Sequence, residues 1–198
     1  MAPDQFRKGH KPDPESNVSS QDTRPGLQSK LTPTPKDDVY ADGRPYKGSG
    51  KLDGKVAFIS GGDSGIGRAA AILMGLEGAK GVAIGFLEGE REDAEDVKNV
   101  VEEKTRGKTK VLLLQADLKV KENCYEVIEK TVMEFGQLDI LFNNAAQQLE
   151  NHDITTLDDE QPGQPIEVAS CVVFLAGPDA SYVSGQTIHC NGGVVVHG

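Results

Sequence analysis

Ser60-Gly61-Gly62-Asp63-Ser64-Gly65-Ile66-Gly67 follows the apolar run Val56-Ala57-Phe58-Ile59 and opens a helical pattern from Ile66 to Glu77. Strand, glycine turn and helix in that order set a phosphate on a helix N-terminus. There, unpaired backbone N–H groups and the positive end of the helix dipole favour negative charge. Gly61 permits the tight turn, Gly65 lets the backbone approach a pyrophosphate, and Gly67 allows helix and strand to pack closely. The spacing G-x-x-x-G-x-G departs from the general dinucleotide fingerprint G-x-G-x-x-G. The octet alone also suits a glycine-rich loop in an unrelated α/β protein.

Outward from this turn the pattern repeats. Ile66, Ala69, Ala70 and Leu73 share one helix face, and Gly78 stands where a left-handed cap is expected. A second strand, Val82–Phe86, leads through the acidic stretch Glu88–Asp96 into a helix ending near Lys104, with Ala94, Val97, Val100 and Val101 as its buried stripe. A third strand, Val111–Leu114, is apolar throughout, as in a strand covered on both sides. The helix Lys121–Phe135 puts Cys124, Val127, Ile128, Thr131, Val132 and Phe135 on one face and ends at Gly136, which makes Cys124 a core thiol. The strand Leu138–Phe142 ends in Asn143-Asn144-Ala145-Ala146. After Gln147 regularity stops until an apolar helix, Ile166–Leu175, and a short strand, Gln186–Cys190, which closes at Asn191-Gly192-Gly193. Alternating strands and helices imply an α/β fold, a Rossmann-type doubly wound parallel sheet. In such a sheet the ligand crevice lies beyond the carboxyl ends of the strands, where Ser60–Gly67, Asp117 and Asn143 all fall.

The chain has 198 residues, the length of one domain, and a formal net charge of -10. Residues 1–50 hold 8 Lys/Arg, 7 Asp/Glu and seven of the ten prolines, so the acidity belongs to the remainder. With few apolar side chains, 1–50 reads as a disordered arm before a nucleotide-binding domain at 51–198. The acidic body argues against nucleic acid or an anionic membrane as partner. Cys124, Cys171 and Cys190 are odd in number and widely spaced, which fits reduced thiols and shows no metal-ligand spacing. His10, His152, His189 and His197 likewise show no metal pattern, so no metal site is expected. No apolar run approaches the ~20 residues of a membrane span, and the N-terminus shows no signal-peptide pattern, so a cytoplasmic protein is expected.

Taken together, the glycine turn at 60–67, Asp117-Leu118, Asn143-Asn144-Ala145-Ala146 and the tail from Pro162 to Gly193 resemble the short-chain dehydrogenase/reductase family. The wording of 61–67, of Asn143–Gln148 and of Pro162-Gly163-Gln164-Pro165 is similar to its glucose/ribitol dehydrogenase-like and general-stress branch. The resemblance implies an oxidoreductase acting on an alcohol, sugar or carbonyl compound with NAD or NADP. It assigns Ser60, Gly61, Ser64, Gly65, Ile66 and Gly67 to the cofactor's phosphates. Asp117 and Leu118 would meet the adenine, and Asn143 and Ala145 the ribose and nicotinamide half. A carboxylate near the end of the second strand favours NAD and an Arg favours NADP. Glu88 and Arg91 both stand near that point, which leaves the choice open.

The family's hydride transfer uses a Ser and a Tyr-x-x-x-Lys pair. Here four residues on from Tyr40, Tyr46, Tyr125 and Tyr182 stand Arg44, Gly50, Glu129 and Gln186, so no such pair exists. Gly192 comes only 48 positions after Asn144, too few for the roughly three further βα units of ~30 residues each that the family's late half needs. The pattern is that of an internal deletion near Gln161–Pro162, as from exon skipping or a misassembled gene, and it truncates the sheet. The expectation is a chain that binds the dinucleotide with little or no hydride transfer and no catalytic residue of its own. The alternatives are a non-catalytic partner in homo- or hetero-oligomers with family members, and a fragment that does not fold stably. The fourth strand loses its neighbour in this reading, and a crossover through 166–175 into a strand at 186–190 would cover that edge.

Overall fold

The computed structural model describes residues 35–40, 42–146 and 164–190. The first 34 residues, the 147–163 stretch with the Gln161–Pro162 junction, and the closing 191–198 lie outside the described residues. So do His10, His152 and His197.

Four parallel strands form one sheet: β1 (Val56–Ser60), β2 (Gly81–Phe86), β3 (Lys110–Gln115) and β4 (Ile140–Phe142). Their order is β3-β2-β1-β4. The chain moves outward from β1 to β3, then returns to the other side of β1, so strand order reverses at β1. The register sets Ile59 beside Ile84 on one side and Phe142 on the other, and Phe58 beside Leu141. Helices α1 (Gly65–Leu76), α2 (Arg91–Lys104) and α3 (Lys121–Phe135) make the crossovers, and α4 (Pro165–Ala176) follows. The acidic stretch after β2 divides into a single 3-10 turn, Glu88–Glu90, and the first turns of α2. Gly78 and Gly136 take positive φ at the helix ends, 91° and 82°, as their positions require.

Strand alternation sorts the core into two layers. Ala57 and Ile59 face α1, α2 and α4, where Ala69, Ala70, Ile72, Leu73, Val97, Val101, Ile166, Ala169 and Val173 are buried. The small side chains of α1 let α4 pack close to it. Val56, Phe58 and Ala83 face the other way, against Val127 and Phe135 of α3. That second face is thinly covered. Leu141 is 53% exposed and Met133 of α3 is 85% exposed.

Three expectations change. Residues 186–190 are not a strand, so among the described residues no crossover covers the edge of β4. The helix α4 packs instead on the α1 face of the sheet. Cys124 is exposed and not a core thiol, because α3 buries only Val127, Thr131 and Phe135. Its thiol donates to the carbonyl of Leu118 at 3.3 Å. The described part of the expected loose arm, 35–40 and 42–50, is not all loose, since several of its residues bond the body. Asp37 bonds Arg68 of α1 at 2.7 Å, Asp38 pairs with Lys104 of α2 at 2.7 Å, and Val39 bridges Pro45. Composition predicted too few apolar contacts, but here charges find partners on the helices.

Glu77 is the anchor of this segment. Its buried carboxylate accepts from the Tyr46 hydroxyl at 2.5 Å, from Ser49 N–H at 2.8 Å and Ser49 Oγ at 3.2 Å, and from Lys51 N–H at 3.0 Å. Burial alone would raise Glu77, but these hydrogen bonds outweigh it and hold the carboxyl below its usual range. Glu77→Ala removes the shared acceptor of Tyr46, Ser49 and Lys51 and should cost about 1–3 kcal/mol in urea unfolding at pH 7. Because the folded-state pKa is depressed, wild type keeps this contribution above pH 4.5 and loses it as pH falls below that value. The gap between wild type and Glu77→Ala should therefore narrow on acidification.

Candidate functional site

The carboxyl ends of β1 and β4 are stitched together. Ser60 Oγ accepts from the backbone N–H of Asn144 at 2.9 Å and of Ala145 at 3.0 Å. Asn144 Nδ2 donates to the carbonyls of Ser60 at 3.0 Å and Gly61 at 2.9 Å. The turn between β1 and α1 is thus held from β4. A Cβ on Gly67 would stand 2.0 Å from the Gly61 carbonyl oxygen and 2.6 Å from Asn144 Nδ2, so only glycine fits. Gly65 differs: its φ is 53° and nothing lies within 4 Å of where a Cβ would be. Its backbone therefore borders open space, as close approach by a ligand needs.

Ser64 is the N-cap of α1, with φ -144° and ψ 167°, and its side chain does not cap the helix. No acidic residue occupies the first turn of α1. The first turn of α1 thus carries no carboxylate of its own, and a helix N-terminus of this kind suits an anionic ligand. Ile66 is partly exposed beside it.

A cleft of about 560 Å³ opens beyond β2 and β3, lined by Leu87, Glu88, Gly89, Gln115, Ala116, Asp117 and Asn123. Asp117 is exposed there, with Oδ1 accepting from Lys119 N–H at 3.0 Å and its carbonyl from Asn123 Nδ2 at 2.8 Å. Leu118 packs against the second core layer and does not line the cleft. Arg91 donates to Gln115 Oε1 at 2.6 Å and lies 5.7 Å from the centre of the Phe86 ring. Glu88 and Arg91 are thus both near this cleft. Asn143 and Ala145 are exposed at the end of β4. The structure brings the glycine turn, Asn143 and Ala145 together, and sets Asp117 with the loop after β2.

The sequence reading named Asn143 and Ala145 and passed over Asn144, whose side chain does the stitching. An Asn at a strand end looks like a turn residue, and only the three-dimensional position of Gly61 shows what its amide reaches. The reading also passed over Asp63. That carboxyl is 3% exposed, and burial, then the charge of Glu90, push it up to about 6. Among the described residues no group of three or more His, Cys, Asp or Glu is placed to hold a metal ion. No helix among them is long and apolar enough to cross a membrane.

A family model described as short chain dehydrogenase matches residues 55–177. General stress protein 39 of Bacillus subtilis is 44% identical over 147 residues, which cover 74% of this chain and 48% of that protein. Glucose and ribitol dehydrogenase homolog 2 of Arabidopsis thaliana is 43% identical over 132 residues, covering 66% and 44%. The chain thus spans about half the length of such relatives. An uncharacterized oxidoreductase of Schizosaccharomyces pombe aligns differently, at 26% identity over 277 positions that take in 87% of this chain and 96% of that one. Since 87% of 198 residues is about 172, roughly 105 of those positions face a gap in this chain.

Two outcomes follow from the geometry. Asp63 binds its proton more tightly folded than unfolded, so its ionisation removes stability as pH rises from 3.8 to about 6. Asp63→Asn should gain about 1–3 kcal/mol over wild type across that window, read by chemical unfolding at pH 4 and pH 7. Asn144→Ala should cost about 2–3 kcal/mol, because two carbonyls lose their donor. It should also speed amide exchange at Gly61 and Gly62.

Proposed function

The chain belongs to the short-chain dehydrogenase family, and we propose that it holds an NAD(P) dinucleotide along the carboxyl edge of its sheet without carrying out hydride transfer. The observation that carries the first half is the glycine turn leading into α1, with no carboxylate in the helix's first turn and room at the Cβ position of Gly65, together with a cleft at the strand ends. In this proposal the phosphates lie on the backbone of Gly61 and Ser64–Gly67. The adenine end enters the cleft at Asp117, and the nicotinamide half runs toward Asn143 and Ala145. Ser60 contributes by holding the end of β4, since its hydroxyl oxygen already accepts two backbone N–H groups. Leu118 supports the cleft from beneath. Glu88 and Arg91 are the residues through which NAD or NADP would be preferred.

A bound nicotinamide supplies or accepts a hydride in this family, and the protein must then move a proton at the reacting oxygen. The tyrosines give no support to that step. Tyr46 donates to Glu77 at the far end of α1, and burial, then Glu77, raise its phenol, the wrong direction for an acid/base near neutral pH. Tyr40 packs on Tyr46, Tyr125 is exposed on α3, and Tyr182 is fully exposed. The gap of roughly 105 positions against the yeast relative supports an internal deletion as the reason. A second reading, a non-catalytic partner of other family members, is favoured by the thinly covered α3 face with Leu141 and Met133.

Titration of the full chain with NADH and with NADPH, followed by nicotinamide fluorescence, should give saturable binding that NAD or NADP competes away. Gly65→Val should abolish it while far-ultraviolet circular dichroism stays unchanged. A panel of alcohols, sugars and aldehydes should give no change at the reduced-nicotinamide absorbance beyond the protein-free rate. Absence of binding to a folded chain would end the first half of the proposal, and turnover would end the second.

A further inference from the structure

Cys171 and Cys190 are 19 residues apart in sequence, one on α4 and the other in the tail, yet Cys190 Sγ stands 3.0 Å from Cys171 Sγ. We propose that these two thiols form a dithiol site that a low-molecular-weight disulfide oxidises to an intrachain disulfide. The proposal is independent of the nucleotide reading. It rests on how the tail leaves α4 and comes back. Gly177 ends the helix, and Pro178–Ala180 make a 3-10 turn held by the ion pair of Asp179 with Lys51 at 2.5 Å and by burial of Ala180. Residues 186–190 then run without strand pairing and return to α4 at Cys190. A disulfide sulfur–sulfur bond is about 2.05 Å, so closure from 3.0 Å asks for ~1 Å of movement.

The two thiols differ in access, which orders the chemistry. Cys190 is exposed and Cys171 half-buried. The Cys190 thiolate attacks one sulfur of the small disulfide, its bond breaks, and one small thiol leaves with the electron pair and takes up a proton. The Cys171 thiolate then attacks the Cys190 sulfur of the mixed disulfide, releasing the second small thiol. Two protein thiols are oxidised and one small disulfide is reduced to two thiols. The hydrogen bond to Cys190, then burial, push the Cys171 thiol up to about 11. Conversion of Cys190 to the mixed disulfide removes that hydrogen-bond partner before Cys171 must react. Cys124 takes no part, being on α3 across the sheet with its thiol on the carbonyls of Leu118 and Val120.

The full chain, reduced and then exposed to oxidised glutathione, should lose two of its three alkylatable thiols and two hydrogens in mass. No Lys or Arg lies between Cys171 and Cys190, so the bond is mapped by cleavage before Asp179, after which the two halves should stay joined until reduced. Cys171→Ser should instead accumulate a glutathione adduct on Cys190, while Cys124→Ser should oxidise as wild type does. A stable glutathione adduct on the wild-type chain, a disulfide that includes Cys124, or three free thiols at the glutathione level that joins a control dithiol would each overturn the proposal.

Discussion

Everything at the carboxyl edge of the sheet depends on one close approach, that of Gly67 to the carbonyl of Gly61 under the side-chain amide of Asn144. This approach fixes where α1 begins relative to β1. It therefore also fixes where the dipole end of α1 points. The amide from β4 makes the arrangement three-sided, since strand, turn and neighbouring strand share the same two carbonyls. Ser60 works from beneath in the same direction, accepting from the backbone just past β4. A turn that local sequence alone would leave adjustable becomes a fixed surface.

Much of this was legible in the sequence because period and punctuation agree. The strand–glycine–helix order at 56–77, the stripe at Ala94, Val97 and Val101, and the bounds of Lys121–Phe135 all survive folding unchanged or within two residues. What could not be read depends on neighbours. The stretch 186–190 reads as a strand, yet a strand forms only against a partner, and no strand among the described residues lies beside it. The helical wheel of α3 placed Cys124 inward because a wheel assumes a covered face, and here half of that face has no cover. Residues 35–50 looked unstructured by apolar count, since composition cannot foresee that Asp37, Asp38 and Tyr46 each meet a partner on a helix. In the site, Gly65 and Gly67 declared themselves by spacing, while Asn144 and Asp63 needed the coordinates of Gly61 and Glu90.

Asp63 shows how a binding turn and folding stability compete. A carboxyl buried beside Glu90 and Asp93 is a poor place for negative charge, and burial with those neighbours holds its proton on toward pH 6. Such a group inside the glycine turn trades stability near neutrality for the shape of the loop. The price is bearable because α1 behind it is buried along most of its length and tied at its far end through Glu77.

The asymmetry of the sheet has a mechanical consequence. β1 has a bonded neighbour on each flank and helices over both faces, whereas β4 is three residues long and, among the described residues, is bonded on one flank only. Local opening should begin at β4 and travel inward. The proposed nucleotide edge borrows Asn144 from just past this weakest strand, so it is tethered to the part of the molecule first to fray. A ligand spanning from the glycine turn to Asn143 would then act as a splint, making cohesion of the half-sheet depend on whether the groove is filled.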